Sequence, residues 1–227
     1  MLAIADDVWQ LPLAPRDSIN AYLIGDVLVD TGIPQSTDKI AGMLEGRRIS
    51  AIALTHAHSD HAGAMRRLAD RFGVPVWCGA QDREAAETGR VVLAPAFRRP
   101  RLNALVRATA GFDPAPVART LAEGDSLTAG FTVLDTPGHS PGHVSFWREA
   151  DRTLICGDVF FNMHLLTTVP GLRQPPHLFT VDSAENRRSE RRLAGLEPTN
   201  TGFGHGPVLR GDAAQKLRDF AQSLPPG

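Results

Sequence analysis

Between Leu54 and Gly63 the chain reads LTHAHSDHAG, which places His56, His58, Asp60 and His61 within six consecutive residues of a protein that has eight histidines in all. Imidazole nitrogens and carboxylate oxygens are the usual ligand atoms of zinc and of non-heme iron. On an extended chain His56 and His58 point to the same side, because side chains alternate with period two. A helix beginning near Asp60 would bring Asp60 and His61 round beside them. A solvated turn needs no such density of imidazole.

Further donors sit downstream in turns that follow apolar runs. His139 lies in DTPGHSPGH after FTVLD, and His205 lies in GFGHGP. Flanking glycines let the backbone come close to a bound ion. Asp158 ends the apolar run LICGD; alone, an aspartate there could simply cap a turn. Together these are five histidines and two aspartates, enough for two metal ions with one shared carboxylate. Such a set leaves positions open for water, the mark of a catalytic rather than a closed structural site.

The elements that must position these donors read as mixed α/β. SINAYLIGD and VLVDTG read as two strands joined at Gly25-Asp26. Residues 36–47 read as a short helix and 49–54 as a buried strand that delivers THAHSDH at its C-terminal end. DHAGAMRRLADRFG reads as a helix closed by Gly73, and VPVWC as another strand. Strands resume with FTVLDT, HVSFW and TLICGD, the last two flanking a hairpin turn at READR. Residues 183–196 and 212–224 read as helices around a loop, TNTGFGHGP. The stretch 80–121 is irregular and reads as a helical insertion, of one or two helices, over the active-site face. VLVDTG and TVLDTPG are faintly alike, which hints at two related halves.

Composition bounds the remaining possibilities. The length of 227 residues suits one domain spanning 1–227. A formal net charge of -1 gives no basic footprint for nucleic acid and no polybasic anchor for a membrane. The N-terminus has no basic or long apolar run of a signal peptide, and no stretch reaches the ~18 apolar residues of a membrane helix. Cys78 and Cys156 sit in separate apolar runs and read as buried free thiols, so a cytoplasmic location is expected.

The pattern THAHSDH, followed in order by TPGHSPGH, CGDVFF and GHGP, resembles the metallo-β-lactamase-fold hydrolase superfamily, whose HxHxDH motif it matches. VLVDTG adds Asp30, at the place of that family's buried aspartate behind the metals. The likeness runs from about residue 26 to 205. It implies a four-layer αββα sandwich of two mixed sheets flanked by helices, with metals in a groove at one edge. Carried over by position, one metal takes His56, His58 and His139, the other takes Asp60, His61 and His205, and Asp158 bridges them. Two Zn(2+) ions per chain are expected, with manganese or iron as substitutes.

The resemblance further implies a hydrolase that uses a metal-bridging hydroxide on a small-molecule ester, thioester or lactone. Asp60 would both bind a metal and orient the nucleophile, and His143 would stand behind the ligands. Phe161, His164 and His177, in the segment after Asp158, are expected to line the substrate groove. The arginines of RRPR (Arg98, Arg99, Arg101) and RRSERR (Arg187, Arg188, Arg191, Arg192) read as solvated faces, or, for the first group, as recognition of an anionic substrate. The single tyrosine, Tyr22, departs from the lactonases of this fold, which use a late tyrosine. The Asp158 bridge departs from the true β-lactamases, and the short tail after His205 departs from glyoxalase-II-type thioesterases. Three other readings stay open: a phosphodiesterase of the same fold, a persulfide-dioxygenase-like oxidoreductase holding one iron, and a non-catalytic metal-binding protein.

Overall fold

The structure is a computed structural model and describes residues 1–92, 94 and 111–225. Strands β1 (Leu2–Ala5), β2 (Val8–Pro12), β3 (Asn20–Ile24), β4 (Val27–Val29), β5 (Ala51–Ala53), β6 (Val76–Gly79) and β7 (Val117–Leu121) form a seven-stranded sheet in that order. The first four pair antiparallel, and β4 to β7 pair parallel. Helices α1 (Thr37–Met43), α2 (Met65–Phe72) and α3 (Arg83–Thr88) supply its crossovers.

The second sheet runs β14 (Leu209–Arg210), β13 (Asn200–Gly202), β10 (Thr153–Ile155), β9 (Val144–Arg148), β8 (Thr132–Asp135). Only β10 and β13 pair parallel, across the connection that holds helix α4 (Ser183–Gly195). Helix α5 (Ala213–Ser223) packs beside α4, and a small hairpin, β11 (Phe161–Met163) with β12 (Pro170–Arg173), stands apart.

Strand parity sorts the apolar side chains into three cores. Leu23, Leu28 and Ile52 face outward with Ile40 of α1, Leu44 just past its end, and Met65 and Leu68 of α2. Their neighbours Tyr22, Ile24, Val27, Val29 and Ala53 face inward, against Val133, Phe146 and Ile155 of the second sheet. The other parity of that sheet, Leu134, Trp147 and Leu154, meets Leu193 and Leu217 of α4 and α5. The result is the expected order of layers: helix, sheet, sheet, helix. Tyr22 is spent inside it, donating its hydroxyl to the Phe203 carbonyl at 2.7 Å.

Three expectations need correction. The stretch 80–121 is not a helical insertion throughout: α3 is helical, but Val117–Leu121 is β7, the outer strand beside β6. Its wide spacing from β6 in sequence hid that pairing. The arginines 98, 99 and 101 lie outside the described residues. No helix begins at Asp60; residues 59–64 form turns and α2 starts at Met65. Within TNTGFGHGP, Asn200–Gly202 is strand β13. Among the described residues no helix is long and apolar enough to cross a membrane. Cys78 and Cys156 are buried free thiols, as read.

Candidate metal centre

The chemistry-bearing residues come together where strands end. His56 lies three residues past β5, Asp158 three past β10, His205 three past β13 and His139 four past β8. Both sheets aim their C-terminal edges at one rim, so residues more than a hundred positions apart share one volume.

Three groups of donors form there: His56, His58 and His139; His56, His61 and Asp158; and Asp60, His61 and His205, each with its ligand atoms within 4.8 Å of one another. His58 Nδ1 stands 3.0 Å from His56 Nε2 and 3.0 Å from His139 Nε2. Asp158 lies between the sets. Its Oδ2 is 3.4 Å from His139 Nε2, 3.2 Å from His205 Nε2 and 3.9 Å from His56 Nε2, and its Oδ1 is 3.3 Å from His61 Nε2. Asp60 Oδ2 is 3.4 Å from His205 Nε2.

The tautomers follow from what lies behind each ring. The Thr55 hydroxyl donates to Asp30 Oδ2 at 2.8 Å, so at 3.0 Å it accepts the Nδ1 proton of His56. His61 donates Nδ1–H to the same carboxylate oxygen at 2.8 Å. His205 donates Nδ1–H to the Ser18 carbonyl at 2.6 Å. The Thr180 hydroxyl donates to the Pro176 carbonyl at 3.0 Å and so accepts from His139 Nδ1 at 3.3 Å. Four rings therefore turn Nε2 inward. His61 Nε2 and Asp158 Oδ1 are buried with no hydrogen-bond partner. Converging imidazole nitrogens and an orphaned carboxylate oxygen are what a pair of cations would satisfy in place of protons, so the donor set fits metal.

Electrostatics divides the centre. Burial, then the neighbouring imidazoles, hold His56 and His139 well below the ordinary histidine range. Burial opposes charge on His61 and His205 too, yet Asp158 with Asp30 lifts His61 well above that range, and Asp158 with Asp60 brings His205 to about 10. Burial also disfavours the Asp158 carboxylate, but His205 and His61 hold it well below its ordinary value. Among the described residues only histidines form ion pairs with Asp30, Asp60 and Asp158.

His143 stands behind the ligands, 1% exposed. Its Nε2 accepts the Asp158 backbone N–H at 3.1 Å, so its proton sits on Nδ1, 2.9 Å from Thr136 Oγ1. Burial pushes it down to about 3, which keeps it a neutral acceptor. Asp30 is buried behind Thr55 and His61.

A cavity of about 300 Å³ opens from the centre, walled by Val91, Val92, Phe161, Leu165, Leu178 and Phe179. Phe161 thus lines the groove. His164 and His177 do not: His164 Nδ1 accepts the Thr167 N–H at the hairpin turn, and His177 lines a separate cavity with Gln174 and Arg187. Of the second arginine group, Arg188 and Arg192 are exposed and pair with Glu185 and Glu123.

One residue had no sequence signal. Asp82 is fully buried and accepts the Ala57 N–H at 2.9 Å, the Ser140 hydroxyl at 2.7 Å and the Gly142 N–H at 2.8 Å. It ties the loop of His56 and His58 to the loop of His139. Gly142 is needed there, because a Cβ would stand 2.3 Å from the Asp82 nitrogen.

The family model described as the metallo-beta-lactamase superfamily matches residues 14–205. The chain is 31% identical over 217 residues to the probable metallo-hydrolase YflN of Bacillus subtilis, a span covering 87% of this chain and 82% of that protein. It is 34% identical over 119 residues to a hydroxyacylglutathione hydrolase of Bdellovibrio bacteriovorus, 51% of this chain and 36% of that protein. Among solved structures, TTHA1623 in a di-iron-bound form is 30% identical, with a TM-score of 0.68 over 96% of this chain and 98% of that one.

Proposed function

Since the chain belongs to the metallo-β-lactamase superfamily and is a metal-dependent hydrolase, we propose that it cleaves carboxylic esters, thioesters or lactones at a two-metal site. The observation that carries this reading is Asp158, whose two oxygens reach His56, His61, His139 and His205 within 3.9 Å. One carboxylate that touches both donor groups is the arrangement a metal pair requires. His56, His58 and His139 would hold one cation, and Asp60, His61 and His205 the other. When bound, two such cations supply an activated water and a polarised carbonyl.

The chain's own groups do the rest. The Nδ1 hydrogen bonds of His56, His61, His139 and His205 fix the rings, so that no reorientation accompanies reaction. The Asp60 side chain is 37% exposed and borders the cavity. Burial disfavours its charge, but His205 and His61 hold it below the ordinary carboxylate range, so it stays ionised and orients the attacking water as a hydrogen-bond acceptor. The hydroxyacylglutathione hydrolase relative supports an acyl substrate, and the di-iron neighbour supports two metals, with zinc, iron and manganese all compatible with these donors. The buried free thiols favour a reducing, cytoplasmic setting.

Elemental analysis of protein expressed without added metal tests the site. About two metal ions per chain, with hydrolysis of thioesters, esters or lactones that vanishes in His58→Ala and Asp60→Ala, is the expected result. A single iron with oxygen uptake on persulfides would overturn it, as would a preference for phosphodiesters.

A further inference from the structure

We propose that the acyl part of the substrate is an uncharged alkyl chain, selected by Phe161, Leu165, Leu178 and Phe179. This deepens the hydrolase reading and rests on it. Apart from the metal-donor residues, Ser59 is the only polar residue among the described ones that line the cavity. The other walls are apolar and come from three separate segments: Val91, Val92 and Ala94 after α3, the β11–β12 hairpin, and the loop before α4.

The inner wall is buried, with Val91 at 8%, Ala94 at 3% and Phe161 at 3% exposure, whereas the mouth is open, with Leu165 at 37%, Leu178 at 44% and Phe179 at 50%. Leu166 and Val169, at 91% and 54%, are exposed apolar side chains of the same hairpin turn. Single exposed apolar side chains are ordinary, but three that line one cavity together with the metal donors mark a ligand surface. Away from the metal donors, a carboxylate or phosphate on the acyl arm would lose its hydration against walls where no described lysine or arginine replaces it. An alkyl chain instead gains with every methylene it buries. At ~300 Å³ the cavity is at the small end for ligand sites, so the gain stops at modest chain length.

The test uses the full metal-loaded chain and p-nitrophenyl esters from acetate to decanoate, which share one leaving group. kcat/KM should rise about fourfold per buried methylene through the early members and then level off. Butyryl should outrun succinyl, its carboxylated counterpart, by about tenfold or more, since burying an unpaired charge is costly. Leu178→Ser combined with Phe179→Ala should flatten the series. A flat or falling series, or a preference for succinyl, overturns the inference and leaves the hydrolase reading standing. Failure to cleave any ester, thioester or lactone sinks the hydrolase reading instead. The apolar site is then judged by calorimetry of n-alkyl alcohols with the metal-free chain. Affinity that climbs with chain length, and does not climb in the double variant, supports it; affinity independent of length overturns it.

Discussion

The Asp82 carboxylate accepts the backbone N–H of Ala57 at 2.9 Å, and so holds the residue between His56 and His58 from the turn that follows β6. The same side chain takes the Ser140 hydroxyl and the Gly142 N–H. One buried carboxylate thereby sets the relative position of His58 and His139, which otherwise share no element.

Asp82→Ala should therefore act twice. Three buried donors lose their acceptor, at about 1–3 kcal/mol each, so urea unfolding of the metal-free protein should show a loss of at least ~3 kcal/mol. Zinc affinity should fall by roughly 10–100-fold, the usual effect of removing a group that orients ligands. Asp82→Asn, which keeps the shape and one acceptor oxygen, should lie between. Unchanged zinc affinity in a folded Asp82→Ala protein would remove Asp82 from the positioning role.

Gly204 leaves room for the centre. A Cβ there would stand 2.0 Å from Asp158 Oδ1 and 2.6 Å from His61 Cε1. Gly204→Ala should lower bound metal at least about tenfold through those displaced donors, with an unchanged far-ultraviolet dichroism spectrum. Full metal content in that variant would mean that Asp158 and His61 can shift without loss of binding.

Metal removal should lower stability, because a cation that binds the folded donor set and not the unfolded chain adds its binding free energy to the folded state. Metal at about a hundred times its Kd contributes ~2.7 kcal/mol. For a chain of this size that corresponds to a fall in Tm of roughly 5–10 °C on chelation. Calorimetric scans with and without a chelator check this, and coincident scans would contradict it.

Glu190, on α4, gives a pH dependence outside the metal centre. It is fully buried, its Oε1 has no partner and its Oε2 accepts from Gln174 at 3.1 Å. Burial raises its pKa from the ordinary 4.5 to about 8. The folded state thus holds a proton that the unfolded state has released. The stability this contributes is complete below pH 4.5 and is lost as pH rises to about 8, by at most ~1.4 kcal/mol per pH unit. Urea midpoints of metal-free protein at pH 6 and pH 9 should differ more in the wild type than in Glu190→Gln. Equal differences in the two proteins would show that Glu190 is not responsible.

Much of the site was legible because its donors are chemically distinctive and locally patterned. THAHSDH, the glycine-flanked His139 and His205, and Asp158 at the end of an apolar run each declare themselves within a few residues. Their supports do not. Asp82 is one acidic residue among 25, and Thr180, Ser18 and Thr55 are ordinary polar residues until a ring nitrogen is found beside them. His164 and His177 show the reverse: residues of the right type in the right segment, turned away from the groove.

By itself, the sequence determined the donor types, the strand parity that sorts Tyr22 from Leu23 and Phe146 from Trp147, and hence the layered architecture. These are local properties, set by periodicity and side-chain chemistry. Only the tertiary structure decided that β7 closes the first sheet beside β6, that His58 meets His139, that Asp82 holds both loops, and that the cavity wall is apolar. Each of those contacts joins segments far apart along the chain. Such meetings are selected by how two sheets pack face to face and align their strand ends, and no short window of residues encodes that alignment.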